Sequence, residues 1–166
     1  LSSLMIGSCN NNSEKKENYK VDPLVKRALG SFSAISENAE SAENPITEAK
    51  VLLGKTLYFD NRLSKNNTQS CNTCHNLTTF GVDNKATSAG DLGKNGTRNS
   101  PTVLNAAFHT SQFWDGRAKD VEEQAGMPIT NPVEMNIPSE SFVEERIKGI
   151  PGYQKLFVDA FPGEEN

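Results

Sequence analysis

The stretch "QSCNTCHNLTTFG", residues 69–81, holds two of the chain's three cysteines and one of its two histidines. Cys71-Asn72-Thr73-Cys74-His75 has the form C-x-x-C-H, the attachment motif of c-type haem. The spacing has a physical reason. On one helical turn, positions i, i+3 and i+4 share a face. Two thiols there can bond covalently to the haem vinyl groups while His75 reaches the iron from the same side. A structural zinc site wants four ligands, and beyond this cluster only Cys9 and His109 remain. A thioredoxin-like redox pair wants a preceding strand and a βαβ context, which the pattern lacks. A plain disulfide leaves His75 without a role.

Around this motif lies a chain of one-domain length, 166 residues, mildly acidic with 21 Asp+Glu against 17 Lys+Arg. It carries no basic run, which argues against nucleic acid as a partner. Hydrophobic residues make up only 35%, so modest helices and long ordered loops are expected. No apolar stretch is long enough to span a bilayer. The first residues, "LSSLMIGSC", read as the tail of an export segment ending at a small residue before Cys9. They resemble a lipobox, where bacterial lipoproteins are cleaved and acylated on the cysteine. The polar "NNNSEKKENYK" that follows reads as a tether. Residues 1–20 are therefore expected to be a lipoprotein signal remnant with its tether, and residues 21–166 a single haem domain. Attachment of c-type haem in bacteria takes place outside the cytoplasm, so both signals point to the periplasm.

The patterning predicts a mainly helical domain with scarce strand alternation. Asp22 before Pro23 signals a helix start, with a short helix to about Leu29. "SFSAISENAESAEN" reads as a connector. Asn44 and Pro45 repeat the start signal, and from Ile46 the residues Ala49, Val51, Leu52, Leu53 and Leu57 form an apolar face toward Tyr58. Residues 81–102, rich in Gly, Asn, Ser and Thr, form a loop long enough to suggest function. A short helix over about Lys119 to Ala125 precedes a Pro-punctuated loop, "GMPITNPVEMNIP". Ser139 opens a helix carrying Phe142, Val143 and Ile147 and stopped by Gly149. Pro151 starts the last helix, with Tyr153, Leu156, Phe157 and Phe161 facing inward.

A haem alone does not decide function, because the sixth iron position does. A methionine there makes an electron carrier; an open site beside a proton-handling group makes a catalyst. Asp91, His109, Met127, Glu134 and Met135 are the downstream candidates, and composition leaves the choice among them open.

"LGKTLYFDNRLSKNNTQSCNTCH", "GTRNSPTVLNAAF", "QFWDGRAKDVEEQAGMPITNPVEM" and "IPGYQKLFVDAFP" together resemble the bacterial dihaem cytochrome c peroxidases and the related MauG-like proteins. The resemblance spans about residues 46–162 and corresponds to the N-terminal, peroxidatic domain of that family. It implies an all-α, cytochrome c-like fold with one haem c, and a second haem domain beyond "FPGEEN" in a longer protein. It implies that Cys71 and Cys74 hold the haem and that His75 is the proximal ligand, oriented by a hydrogen bond through its other ring nitrogen. Glu134 matches the distal acid/base, which relays a proton between the two oxygens of peroxide. Gln124 matches a distal glutamine that orients peroxide or water, set against an ordinary polar residue on a helix. Met135 is then a packing residue.

Trp114, the only tryptophan, matches an aromatic that the family places between its two haems; a core anchor is the plainer reading. Asn99 matches a calcium ligand, set against a loop residue capping a turn. Many family members carry a histidine in the Gly-rich loop that caps the resting iron, and Asp91 in "TSAGDLG" stands at that position. A carboxylate is a less natural strong-field ligand than imidazole, so an open or water-bound iron is expected, with His109 the one alternative histidine. The implied partners are hydrogen peroxide and a small electron-donor protein, a cytochrome c or a cupredoxin, with membrane contact only through a lipid on Cys9. A homodimer is a further family trait. Two other functions fit the same motif, a monohaem electron-transfer domain ligated by His75 and Met135, and a MauG-like oxidase acting on a protein substrate.

Overall fold

Among the described residues, 21–164 of a computed structural model, helices carry nearly all of the regular structure. They fall into two units divided after Glu37. In the first, α1 (Pro23–Ala28) starts where Asp22 accepts a hydrogen bond from the Leu24 amide at 2.7 Å, with Pro23 in the first turn. The expected short helix is present, and none of its residues is buried. Residues 1–20, with Cys9 and the expected export segment, lie outside the described residues.

The second unit begins at Asn38 and holds α2 (Glu48–Tyr58), α3 (Cys71–Cys74), α4 (Val121–Thr130), α5 (Glu140–Lys148) and α6 (Pro151–Ala160). Four boundaries differ from expectation or confirm it for a clear reason. Thr47, not Asn44, caps α2, because its hydroxyl accepts from the Lys50 amide at 3.2 Å. Asn44 instead bonds side chains, Glu122 at 2.5 Å and Lys50 at 2.6 Å. Helix α4 does not stop at Ala125 but runs through Pro128 to Thr130. Proline lacks the N–H that would bond Gln124, so the helix tolerates it only close to its end. Ser139 caps α5 through the Phe142 amide at 3.2 Å, and Gly149 closes it, as the sequence indicates.

The core joins Leu53 of α2, Leu63, Met135, Ile147 of α5, and Tyr153 and Ala160 of α6. Ala49, Leu57, Ile129, Val143, Leu156, Phe157 and Phe161 pack against it. Three of the five residues of the expected apolar face of α2 are used, Ala49, Leu53 and Leu57, while Val51 and Leu52 are exposed. Helix α2 lies against α6, and α5 reaches both α6 and the 3-10 turn Asn61–Leu63. Arg146 of α5 fastens the loop after that turn: its guanidinium donates to the carbonyls of Arg62 (2.8 Å), Ser64 (2.7 Å) and Lys65 (3.1 Å), and to Asn67 Oδ1 (3.0 Å). No helix among the described residues is long and apolar enough to cross a membrane.

Candidate functional site

Ser70 opens the single turn α3, its amide accepted by Thr73 Oγ1 at 2.9 Å, and the turn ends at His75. Cys71 and Cys74 are free, half-buried thiols on that turn, and burial pushes both thiol pKa values up. His75 Nδ1 lies 3.0 Å from the Pro101 carbonyl and 3.3 Å from that of Gly81. Both partners can only accept, so the ring proton sits on Nδ1 and the lone pair on Nε2. Gly81 is required for this arrangement. Its φ is +74°, and a Cβ there would stand 2.8 Å from Val103 Cγ2. Tyr58 donates its hydroxyl to the His75 carbonyl. Burial, and next the charge of Cys71, push the Tyr58 pKa up to about 12, so it stays a donor. Two thiols and one imidazole with a free Nε2 on one turn are a donor set that suits covalently held haem.

Glu134 occupies the turn after α4. Asn131 builds it: its Oδ1 accepts from the Val133 amide at 3.1 Å while its Nδ2 donates to Glu134 Oε1 at 3.0 Å. Two donors grip the Glu134 carbonyl, Gln69 Nε2 at 2.7 Å and the Asp91 amide at 2.7 Å. Burial raises the pKa of the carboxyl, against the opposing charge of Arg117 and the hydrogen bond from Asn131. The charge of Arg117 therefore reaches Glu134, and that of Glu134 reaches Cys74 on the C-x-x-C-H turn. Gln124 is half-buried on α4, two turns before Asn131 and so on the same face. Its neighbour one turn on, Met127, is half-buried too.

Asp91 is buried, and its carboxylate is fully engaged. Oδ1 accepts from the Asn66 amide (3.1 Å) and Thr68 Oγ1 (2.6 Å), and Oδ2 from Asn66 Nδ2 (2.7 Å). Burial alone would raise its pKa, but these hydrogen bonds outweigh it and hold the group in its charged form. Met135 is 6% exposed and sits in the core. His109 is exposed at the end of the 3-10 turn Ala106–Phe108.

Trp114 is 60% exposed, which overturns the core-anchor reading. Its indole N–H donates to the carbonyl of the exposed Asn99 at 3.0 Å, bringing two of the sequence candidates together. A loop closed by the Gln112–Ala118 bridge presents it. In that loop Phe113 takes a φ of +65°, rare for an aromatic residue, with the Arg117 guanidinium 3.4 Å over its ring. Among the described residues no group of three or more His, Cys, Asp and Glu side chains could hold a metal ion.

The family model for the di-haem cytochrome c peroxidases matches residues 48–166. The chain belongs to this family. It is 49% identical over 144 residues to the cytochrome c551 peroxidase of Pseudomonas aeruginosa, covering 86% of this chain and 41% of that protein. With the cytochrome c551 peroxidase of Nitrosomonas europaea it shares 46% identity over 151 residues, 86% of this chain and 45% of the relative. The methylamine utilization protein MauG of Methylorubrum extorquens is 48% identical over 122 residues, 74% of this chain and 34% of that one. Among solved structures, a MauG-like protein associated with microbial copper homeostasis superposes with a TM-score of 0.73 at 28% identity, over 81% of this chain and 40% of the other. The fold is thus the all-α, cytochrome c-like one, and the family is a haem family. The chain spans less than half the length of these relatives.

Sequence reasoning passed over Gln69, Asn131, Tyr58 and Arg117. Only Asn131 carried a signal, since Asn-Pro marks a turn whose asparagine bonds two residues on. The others act through contacts distant in sequence.

Proposed function

We propose that this chain is the peroxide-reducing haem domain of a periplasmic cytochrome c peroxidase. Haem held by Cys71, Cys74 and His75 Nε2 would supply the iron at which the O–O bond of hydrogen peroxide is broken. The observation that carries the reading is Glu134, a half-buried carboxyl with a raised pKa, fixed through its backbone and through Asn131, in electrostatic reach of Cys74 on the C-x-x-C-H turn. A raised pKa suits a group that must take a proton and return it near neutral pH. Glu134 Oε2, free of Asn131, accepts a proton from one peroxide oxygen and gives it to the other as that oxygen leaves as water. Gln124 orients the peroxide through its amide. Two electrons and two protons complete the reduction to two waters, the electrons coming from a small donor such as a cytochrome c or a cupredoxin.

Trp114 carries those electrons from a second haem domain, a role supported by its exposure and by its hydrogen bond to Asn99. In the complete protein Asn99 contributes to a calcium site, and Cys9 bears a lipid. Asp91, with three donors on its carboxylate, is not free to cap the iron, which supports a resting site that is open or holds water. The electron-carrier reading needs the Met135 sulfur as a ligand, whereas Met135 belongs to the core. The similarity to MauG keeps one second reading, an oxidase acting on a protein substrate at the same site.

The test is the optical spectrum of the ferric, haem-loaded protein before and after one equivalent of peroxide. A high-spin spectrum that changes on mixing, slowed about 10²- to 10⁴-fold in Glu134→Gln, is expected. A low-spin spectrum inert to peroxide overturns the proposal.

A further inference from the structure

Glu134 is held by more than its own loop, and the group at the centre of the hold is Asp91. Three segments far apart in sequence meet there. From the first, Asn66 and Thr68 give the Asp91 carboxylate its three hydrogen bonds, at 3.1, 2.7 and 2.6 Å. Ser64 Oγ keeps that segment folded, accepting from the Thr68 amide at 3.0 Å and the Gln69 amide at 3.1 Å. From the second, the Asp91 amide reaches the Glu134 carbonyl at 2.7 Å, which Gln69 Nε2 also meets at 2.7 Å. Next to it, Gly90 lies so close to the third segment that a Cβ would stand 2.1 Å from the Val133 carbonyl oxygen. Lys65 closes the circuit, its amide donating to the Met135 carbonyl at 2.9 Å. Of the residues flanking Glu134, Met135 is thus bonded to the segment that holds Asn66 and Thr68, and Val133 packs against the backbone of Gly90.

We propose that Asp91 is a positioning residue, whose buried carboxylate locks residues 64–69, 88–91 and 131–135 into one knot and so fixes the carboxyl of Glu134. The inference rests on the reading of Glu134 as the acid/base. Asp91 touches neither peroxide nor His75 in this scheme and acts only through Glu134. A carboxylate suits the position because it offers two oxygens to three donors that converge from one side. Asparagine can partly replace it: its Oδ1 keeps Thr68 and the Asn66 amide, and Asn66 can turn its own amide to accept from the new NH₂. Alanine cannot.

The experiment is a double-mutant cycle in the complete haem-loaded protein, following the rate of the spectral change with peroxide and, in the same samples, amide hydrogen exchange. Asp91→Ala is expected to slow the peroxide reaction about 10- to 100-fold, the scale of a displaced catalytic group, and Asp91→Asn to recover most of that loss. Asp91→Ala combined with Glu134→Gln should be no slower than Glu134→Gln alone, because both changes remove the same contribution. Exchange at the Lys65 amide and at the amide of residue 91 should rise in Asp91→Ala and remain near wild type in Asp91→Asn. Should Asp91→Ala fail to fold, Thr68→Val removes one donor with little change of shape and should show a smaller effect in the same direction. Wild-type rates in both Asp91→Ala and Thr68→Val, with Glu134→Gln slow, overturn the inference and leave the proposed function intact. So does a further slowing of Glu134→Gln by Asp91→Ala. A wild-type rate in Glu134→Gln itself overturns the function and this inference together.

Discussion

At Glu134 the demands of folding and of chemistry conflict. Burial favours the neutral acid, and Arg117 and Asn131 recover only part of the cost of its charge. Its folded pKa therefore lies above that of the unfolded chain, so at neutral pH the ionised group works against folding. That penalty is present in full above the folded pKa and vanishes below the unfolded one. Glu134→Gln keeps an oxygen for Asn131 and carries no charge. It is expected to melt higher than wild type at pH 7, with the gap closing as the pH falls through the raised pKa toward 4.5. The peroxide reaction should move the opposite way, its low-pH limb following Glu134 in the wild type and absent from the variant. Thermal melts and stopped-flow traces over one pH series read both effects. Tyr58 gives a simpler case. Its hydroxyl serves the His75 carbonyl, so Tyr58→Phe strips one partly buried acceptor and should cost about 1 kcal/mol in urea unfolding.

The helices themselves are short, and side chains from elsewhere decide where their ends and loops go. Arg146 shows how much one residue of α5 can do. It satisfies three loop carbonyls and Asn67 with a planar fork of donors, and its guanidinium sits 4.7 Å over Phe142. Arg146→Ala leaves those acceptors to find water and should lower unfolding stability by about 2–4 kcal/mol. Arg146→Lys cannot fan its donors to four oxygens and should recover less than half of that in the same denaturant series. Local signals of this size were legible where donor and acceptor lie a turn apart. Asp22, Ser139, Gly149 and the C-x-x-C-H turn all read directly, because caps and ligand spacing are set within a few residues. Asn44 read as a cap but was drawn away by Lys50 and Glu122, and Pro128 read as a stop but falls inside α4. The exposure of Val51, Leu52 and Trp114 was not legible either, since apolar character says nothing of what lies opposite. The grip on Glu134 joins residues 69, 91 and 134, and no local pattern encodes that meeting.

The two ends of the helical unit are drawn together by a single charged group. Asp60, just after α2, accepts from Tyr153 of α6 at 2.5 Å and from the Arg62 side chain at 2.6 to 3.0 Å. Tyr153 is 2% exposed and the Asp60 side chain 7%, so the bond that closes a 93-residue separation lies out of water. Burial on its own would raise the Asp60 pKa. The hydrogen bonds from Arg62 and Tyr153, with the charge of Arg62, outweigh it and lower the value from 3.8 to about 2. A carboxyl with a depressed folded pKa stabilises the fold above its unfolded pKa and loses that contribution as the pH falls toward the folded one. For Asp60 the window runs from about pH 4 to pH 2, and with solvent screening of the pair the shift corresponds to about 1–2 kcal/mol. Tyr153 reinforces the arrangement, because burial and the Asp60 charge raise its pKa and keep its proton in place. Asp60→Asn should therefore destabilise the protein by about 1–2 kcal/mol at pH 7, with a shallower loss between pH 4 and pH 2 than in the wild type. Urea unfolding of the haem-loaded protein at pH 7, 4 and 2 measures both slopes. Parallel slopes would place the acid sensitivity in other carboxyls, whereas convergence of the two proteins near pH 2 assigns it to the Asp60–Tyr153 closure.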